Sequence, residues 1–518
     1  MAPPAASRRV PPETYGILFL LFASVLFLGH APWLGLPYYW DEAGQFIPSA
    51  LDILHGGAFI PHSATPNIHP PAVTAYLAAV WSLAGYSPQS TRCAMLLLAA
   101  CGLVVSLLLA IELLRDARGM PAFFAAGLLC LSPVFFSQAM LAQLDAPAML
   151  FTSLALLLFV QNRIVPAAAA CVALVLVKET GVVAPLVFGL WLMRERRRRD
   201  AAWFLGPVAV LCAWIGVLAG VTGHWAGNAA FARYNLYYPL HPVRLAVDFL
   251  RRIYYLFFAN FHFVGAFAIL FAWRTSAIFH SRAWRVAWLL LAAYVAMATA
   301  LGGAVLERYL LPVLPVLYTA MAAGLSLFQR TPRLLCSAAL LAGVAAGIFV
   351  NPPYPFPYED NLAFTDFVHL QSEAADYLKH WYPAARITTV WPLTLELSRP
   401  ELGYVDRRIA VEPLPDLSPA TLEPVDWSKV QVLVAFSRNW DPKFSPMHWA
   451  PVLRFWRRFF GYVPNATREE TRRRVPFAIE NRLERGRQWL DIYVNRSYER
   501  TLVGQTLSSV NPTVGPIF

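Results

Sequence analysis

The chain has 518 residues and a formal charge of +11, with 58% hydrophobic and only 14% charged residues, where soluble globular proteins carry roughly 25% charged residues. With a mean hydropathy of +0.48, this composition excludes an ordinary soluble enzyme and points to a membrane protein, whose 17 Trp and 21 Tyr suit rings anchored at the bilayer surfaces. The positive balance is no argument for nucleic acid, because a basic patch has meaning only once its side of the membrane is known.

A hydrocarbon core of about 30 Å takes roughly 20 apolar residues per helix. By that measure spans are expected near 15–34, 93–113, 121–139, 146–161, 164–180, 181–193, 201–221, 254–273, 285–304, 309–328 and 333–350, about 11 transmembrane helices in all. The first follows Arg8 and Arg9 and lacks a small-residue cleavage signal, so it reads as an uncleaved span and not as a signal peptide. An odd number of spans sets the two termini on opposite sides. Cations next to short loops resist translocation. With the N-terminus cytoplasmic, the inner loops collect 15 of them, among them Arg8, Arg9, Arg115, Arg118 and the run "RERRRRD" at 194–200, against seven on the outer side before residue 351. That run is a topology anchor.

Between the first two spans lies a loop of about residues 37–90 with Asp41, Glu42, Asp52, His55, His62 and His69 and no Lys or Arg. Within it "QFIPSALDIL" and "PAVTAYLAAVWSLAG" suit interfacial helices. After "NPPYPFPYED" the apolar runs shorten and prolines recur. The expected organisation is therefore a transmembrane domain over 1–350 and a soluble extracytoplasmic α/β domain over 351–518, with a helix at "AADYLKHWYP" and strands at "ARITTVW" and "VQVLVAF". The last 68 residues hold 12 Arg against six acids, which does not offend the charge rule because long domains translocate regardless of charge. The six cysteines all fall in apolar segments, so neither a disulfide nor a cysteine-bound zinc is expected.

Ionisable residues crowd one side. Asp41 and Glu42 follow the first span, Asp145 lies at the outer junction of the third and fourth, Lys178 and Glu179 at the outer end of the fifth, and Glu307 and Arg308 at the outer edge of the tenth. Each is inexpensive near an interface, and the bland readings are a solvated helix start for Asp41-Glu42 and structural pairing, such as Lys178 with Asp145, for the others. His224, His241 and His262 show no spacing that specifies a metal site and read as satisfied interfacial residues.

In chain order, "YYWDEAGQFIPSALDIL", "NIHPPAVTAYLAAVWSLAG", "QLDAPAMLFTSLAL", "VKETG" and "ERYLLPVLPVLY" resemble the GT-C type glycosyltransferases of the protein O-mannosyltransferase and lipid A aminoarabinose transferase group, glycosyltransferase family 39 and its relatives. The resemblance covers most of residues 15–330. It implies a GT-C fold and inverting transfer of a sugar from a polyprenyl phosphate to a hydroxyl of a lipid, glycan or protein of the cell envelope, on the outer face of the plasma membrane. It implies Asp41 as the catalytic acid, Glu42 beside it, and Asp145 as a second acid that either orients the acceptor or holds a cationic partner. A carboxylate in reach of the acceptor hydroxyl can take its proton. Departure of the phosphate needs cations, for which Lys178 and Arg308 are the candidates, with His69 of "IHPP" as a neutral donor. No metal site is assigned; some GT-C enzymes use a divalent cation, and Asp41, Glu42 and Asp145 are the acids that could hold one. Nothing resembles the β-trefoil domain of eukaryotic protein mannosyltransferases, which puts protein as the acceptor in doubt.

Two other classes compete. A lipid or solute transporter usually shows matching halves or broken helices meeting at the midplane, whereas no internal repeat is visible here. A non-catalytic scaffold leaves the acids and cations of one side unexplained.

Overall fold

The computed structural model describes residues 12–114, 121–442 and 445–497; the cations Arg8, Arg9, Arg115 and Arg118 lie outside them. The chain forms two compact units. One comprises the chain up to Gly35, Gln45–Pro352 and Pro357–Leu362, and the other Leu36–Gly44, Pro353–Phe356 and the chain from Ala363 onward.

The first unit is helical. Among the described residues five helices are long and apolar enough to cross a membrane: Glu13–Trp33, Pro88–Leu113, Arg198–Thr222, Arg282–Ala300 and Glu307–Ser326. The pair Pro242–Phe257 and Ala259–Thr275 makes a sixth if counted as one span, bent by 48°. The bend falls at Asn260 and Phe261, both at positive φ, a conformation that Asn tolerates and Phe rarely adopts. Ala72–Ala84, Pro121–Cys130, Asp145–Val160 and Ile164–Val177 are shorter apolar helices. The expected segment 121–139 is accordingly two pieces, Pro121–Cys130 and Pro133–Gln138, broken where Pro133 cannot donate to the ladder.

Glu307–Ser326 is the most enclosed of the long helices, with 89% of its apolar window buried against 17% for Glu13–Trp33. Its sequence explains this. Leu314–Ser326 carries Ala320, Ala322, Ala323 and Gly324, and small residues let apolar helices approach where no water drives them together. At Gly324 a Cβ would collide with the backbone of Ala268.

Helices Asp145–Val160 and Ile164–Val177 pack as an antiparallel hairpin whose turn, residues 161–163, has Asn162 at positive φ. The start of the first helix and the end of the second therefore lie at the same end.

The second unit is a mixed α/β structure. Its sheet has strand order β2-β1-β3-β5-β4, with β1 Ile387–Val390, β2 Val411–Leu414, β3 Val432–Phe436, β4 Ala478–Arg485 and β5 Gln488–Val494. β1 runs parallel to β2 and β3, and β5 antiparallel to β3 and β4. β3 is buried throughout as VLVAF, as expected of a strand covered on both faces. The β4–β5 hairpin turns on Gly486 and Arg487, both at positive φ, the geometry whose twist matches the strands. Helix Ala363–Trp381 packs on β4 and β5.

The segment Leu36–Gly44 belongs to this second unit. The Tyr38 amide donates to Leu402 O at 3.3 Å, and Tyr404 Oη donates to Tyr38 O at 3.0 Å. Trp40 sets its ring 4.4 Å from that of Trp391 and 6.0 Å from that of Phe367.

Candidate active site

Three of the expected site residues meet in the first unit. Asp145 opens its helix, Lys178 ends Ile164–Val177 in extended conformation, and Arg308 lies in the tight 3-10 turn Glu307–Val313 that leads into Leu314–Ser326. All three are buried. Lys178 Nζ donates to Asp145 Oδ1 at 2.5 Å, and Arg308 Nε stands 3.6 Å from Asp145 Oδ2. The Tyr309 ring lies 4.6 Å from Lys178 Nζ and 5.7 Å from the Arg308 guanidinium, an attraction between cation and ring face.

Two further residues complete the cluster. Glu359, from the short turn Tyr358–Asp360, brings Oε1 to 3.5 Å from Arg308 Nε, and Gln143 donates to its Oε2 at 3.4 Å while accepting from Arg308. Ser137 Oγ donates to Glu359 O at 2.6 Å and fixes the turn. Two buried cations thus face two buried carboxylates, the arrangement under which burial of charge is tolerable. Next to Glu359, Asp360 has its carboxyl pushed well above the ordinary range, first by burial and then by Glu307 and Glu359. Glu359 and Asp360 escaped sequence reading because "PYPFPYED" has the composition of a linker. The only hint was a pair of adjacent acids among prolines.

His69 is linked to this group through Glu179, the sequence neighbour of Lys178. Its Nδ1 pairs with Glu179 Oε2 at 2.8 Å, and its ring packs edge-on to Phe231 at 5.5 Å. Arg251 pairs with Glu307 at 3.2 Å, and Arg252 donates to Leu306 O and Ala298 O. His262 bonds Tyr255 O at 2.9 Å and Tyr318 Oη at 3.1 Å, while His224 and His241 accept from nearby amides. All three histidines are satisfied locally.

Asp41 and Glu42 lie in the second unit. Glu42 is buried; its Oε2 accepts from the Tyr39 amide at 2.9 Å while its own amide donates to Tyr39 O at 2.9 Å. That reciprocal turn starts the five-residue π-helix Glu42–Phe46, which runs on as Ile47–Gly56. Asp41 is partly exposed. It follows Trp40, held at φ 45°, an outlier for a bulky residue; such strain persists where the surroundings over-determine it and clusters at functional sites. π-turns show the same bias. Two of the three acids named for a divalent cation are already engaged, Asp145 by two cations and Glu42 by the Tyr39 amide. Among the described residues no group of three or more His, Cys, Asp or Glu is placed to hold a metal.

No family model matches the chain, and neither does any curated protein. Solved structures do. The crystal structure of ArnT from Cupriavidus metallidurans bound to undecaprenyl phosphate superposes over 93% of this chain and 98% of its own, at 14% identity and a TM-score of 0.51. The fold is of the GT-C type. The apo structure of the same ArnT agrees, with 15% identity, the same coverage and a TM-score of 0.50. Because coverage runs nearly end to end, the GT-C fold here includes the C-terminal α/β part as well as the helices.

Proposed function

We propose that the chain is a multi-pass membrane glycosyltransferase that moves a sugar, with inversion, from a polyprenyl phosphate to a hydroxyl of an envelope acceptor at the outer face. The observation that carries this reading is the buried Lys178–Asp145–Arg308–Glu359 cluster, set at helix ends in a fold shared with an ArnT whose crystal structure holds undecaprenyl phosphate.

In the proposed reaction the acceptor oxygen bonds to the anomeric carbon as its proton passes to a carboxylate, the role that the resemblance in sequence gives Asp41. The bond from that carbon to the phosphate oxygen breaks, and its electron pair leaves with the polyprenyl phosphate. Charge then develops on the phosphate, where fixed cations in a dry site are worth most. Lys178 and Arg308 are such cations, and Asp145 and Glu359 hold them oriented. Glu42 sets the turn that carries Asp41, and His69, fixed by Glu179, is a donor toward the phosphate.

The test is incubation of the purified chain in liposomes with labelled polyprenyl-phosphate sugar and a set of envelope acceptors. Labelled product with free polyprenyl phosphate supports the reading. Label that crosses the membrane still attached to its carrier supports a transporter, and an intact donor contradicts catalysis.

A further inference from the structure

The second unit carries a helix that the proposed chemistry does not use. Ala450–Phe460 reads APVLRFWRRFF, and none of its residues is buried. At 100° per residue, Arg454, Arg457 and Arg458 fall in one arc, while Val452, Leu453, Phe455, Trp456, Phe459 and Phe460 fill the opposite one. The helix has no acid. Its flanks continue the pattern, with Trp449 66% and Val463 60% exposed. The rings pack tilted along the apolar side, Trp456 on Phe460 at 4.3 Å and Phe455 against Phe459 at 5.0 Å.

A helix built for a protein core buries its apolar face, and a solvated helix mixes both charges on its polar face. Here the six apolar side chains are only half-buried while the three arginines are exposed, and the polar face carries one sign of charge. Arginines opposite a Trp, Phe and Leu face are the composition of helices that lie in the plane of a bilayer interface. Arginine stems also reach sideways to phosphates while the chain body stays apolar. A bilayer is at hand, since the first unit has the membrane-length helices and continuous chain ties the second unit to it at 35/36, 44/45, 352/353, 356/357 and 362/363.

We propose that Ala450–Phe460 is an interfacial anchor for an anionic bilayer surface, with its aromatic face toward the acyl chains and Arg454, Arg457 and Arg458 on lipid phosphates. This anchoring does not depend on the chemistry proposed above. It is tested by hydrogen exchange on the full chain in nanodiscs of phosphatidylcholine alone and of phosphatidylcholine with phosphatidylglycerol. The expected result is that amides of residues 449–463 exchange about tenfold more slowly in the anionic discs. That slowing is lost in Arg454→Glu/Arg457→Glu/Arg458→Glu while amides of β3 and β5 are unchanged. Should β3 and β5 also loosen in the triple variant, the comparison of the two lipids with the unaltered chain decides alone. Equal rates in both discs overturn the proposal, and so does slowing that requires two chains per disc, which assigns the face to a second copy.

Discussion

Lys178 and Asp145 form a buried ion pair, 2.5 Å from Nζ to Oδ1, at the shared end of two helices joined by a three-residue turn. Removing one partner leaves a buried charge uncompensated, at a cost of roughly 3–5 kcal/mol. Lys178→Met should therefore lower thermal stability in nanodiscs markedly, and Lys178→Met/Asp145→Leu should recover most of it. Transfer should not recover, because the phosphate-holding charge is still missing. A double variant that regains both stability and turnover would reduce the pair to a structural role.

Arg308 reaches Asp145, Glu359 and Gln143 at once. A lysine cannot reproduce that planar fork. Arg308→Lys should keep the fold and lower kcat by about 10²-fold, the scale of losing one preorganised donor to developing charge. Single-turnover kinetics with labelled donor checks this.

Glu359 acts through Arg308 and is a positioning residue in this account. Glu359→Gln keeps the shape and the Gln143 contact but removes the charge that orients the guanidinium. The expected outcome is a donor KM raised about tenfold with a smaller change in kcat, as for lost binding shared by ground and transition states. A purely structural role would lower the melting temperature and leave KM alone.

In the second unit Glu396 is fully buried in the helix Leu393–Ser398. Burial pushes its carboxyl well above the usual range, and the nearby Tyr404 hydroxyl only partly opposes that. The folded state therefore holds a proton that the unfolded state releases. Its stability contribution is complete below the ordinary glutamate pKa of about 4.3 and declines as pH rises toward the raised value, by up to about 1.4 kcal/mol per pH unit. Glu396→Gln should flatten that decline. Hydrogen exchange of amides 387–398 across pH measures it, and an unchanged slope would contradict the burial argument.

Much of this fold was legible because hydropathy and the β-rich runs are local signals. The segments at 93–113, 146–161 and 164–180 lie within a few residues of Pro88–Leu113, Asp145–Val160 and Ile164–Val177, and "ARITTVW" and "VQVLVAF" contain β1 and β3. Breaks such as Cys130/Pro133 and Asn260/Phe261 were harder, since apolar composition continues through them. The Lys178–Asp145 pairing could be named from the hairpin that 146–161 and 164–180 imply. Two things had no local signature. Glu359 reaches its cluster from 51 residues beyond Arg308, through a proline-rich return. Leu36–Gly44 joins segments more than 340 residues away, because Tyr38 and Trp40 are held by Leu402, Tyr404 and Trp391, and no periodicity encodes such a return.

The central claim is that Asp41 takes the acceptor's proton. The most direct measurement is turnover of labelled polyprenyl-phosphate sugar by reconstituted Asp41→Asn, an isosteric change at a partly exposed residue that leaves the Glu42–Tyr39 turn in place. The account predicts a fall of about 10²–10⁴-fold in kcat, the range for loss of a general base, with donor KM and thermal stability close to those of the unaltered chain. Turnover at the unaltered rate would contradict it.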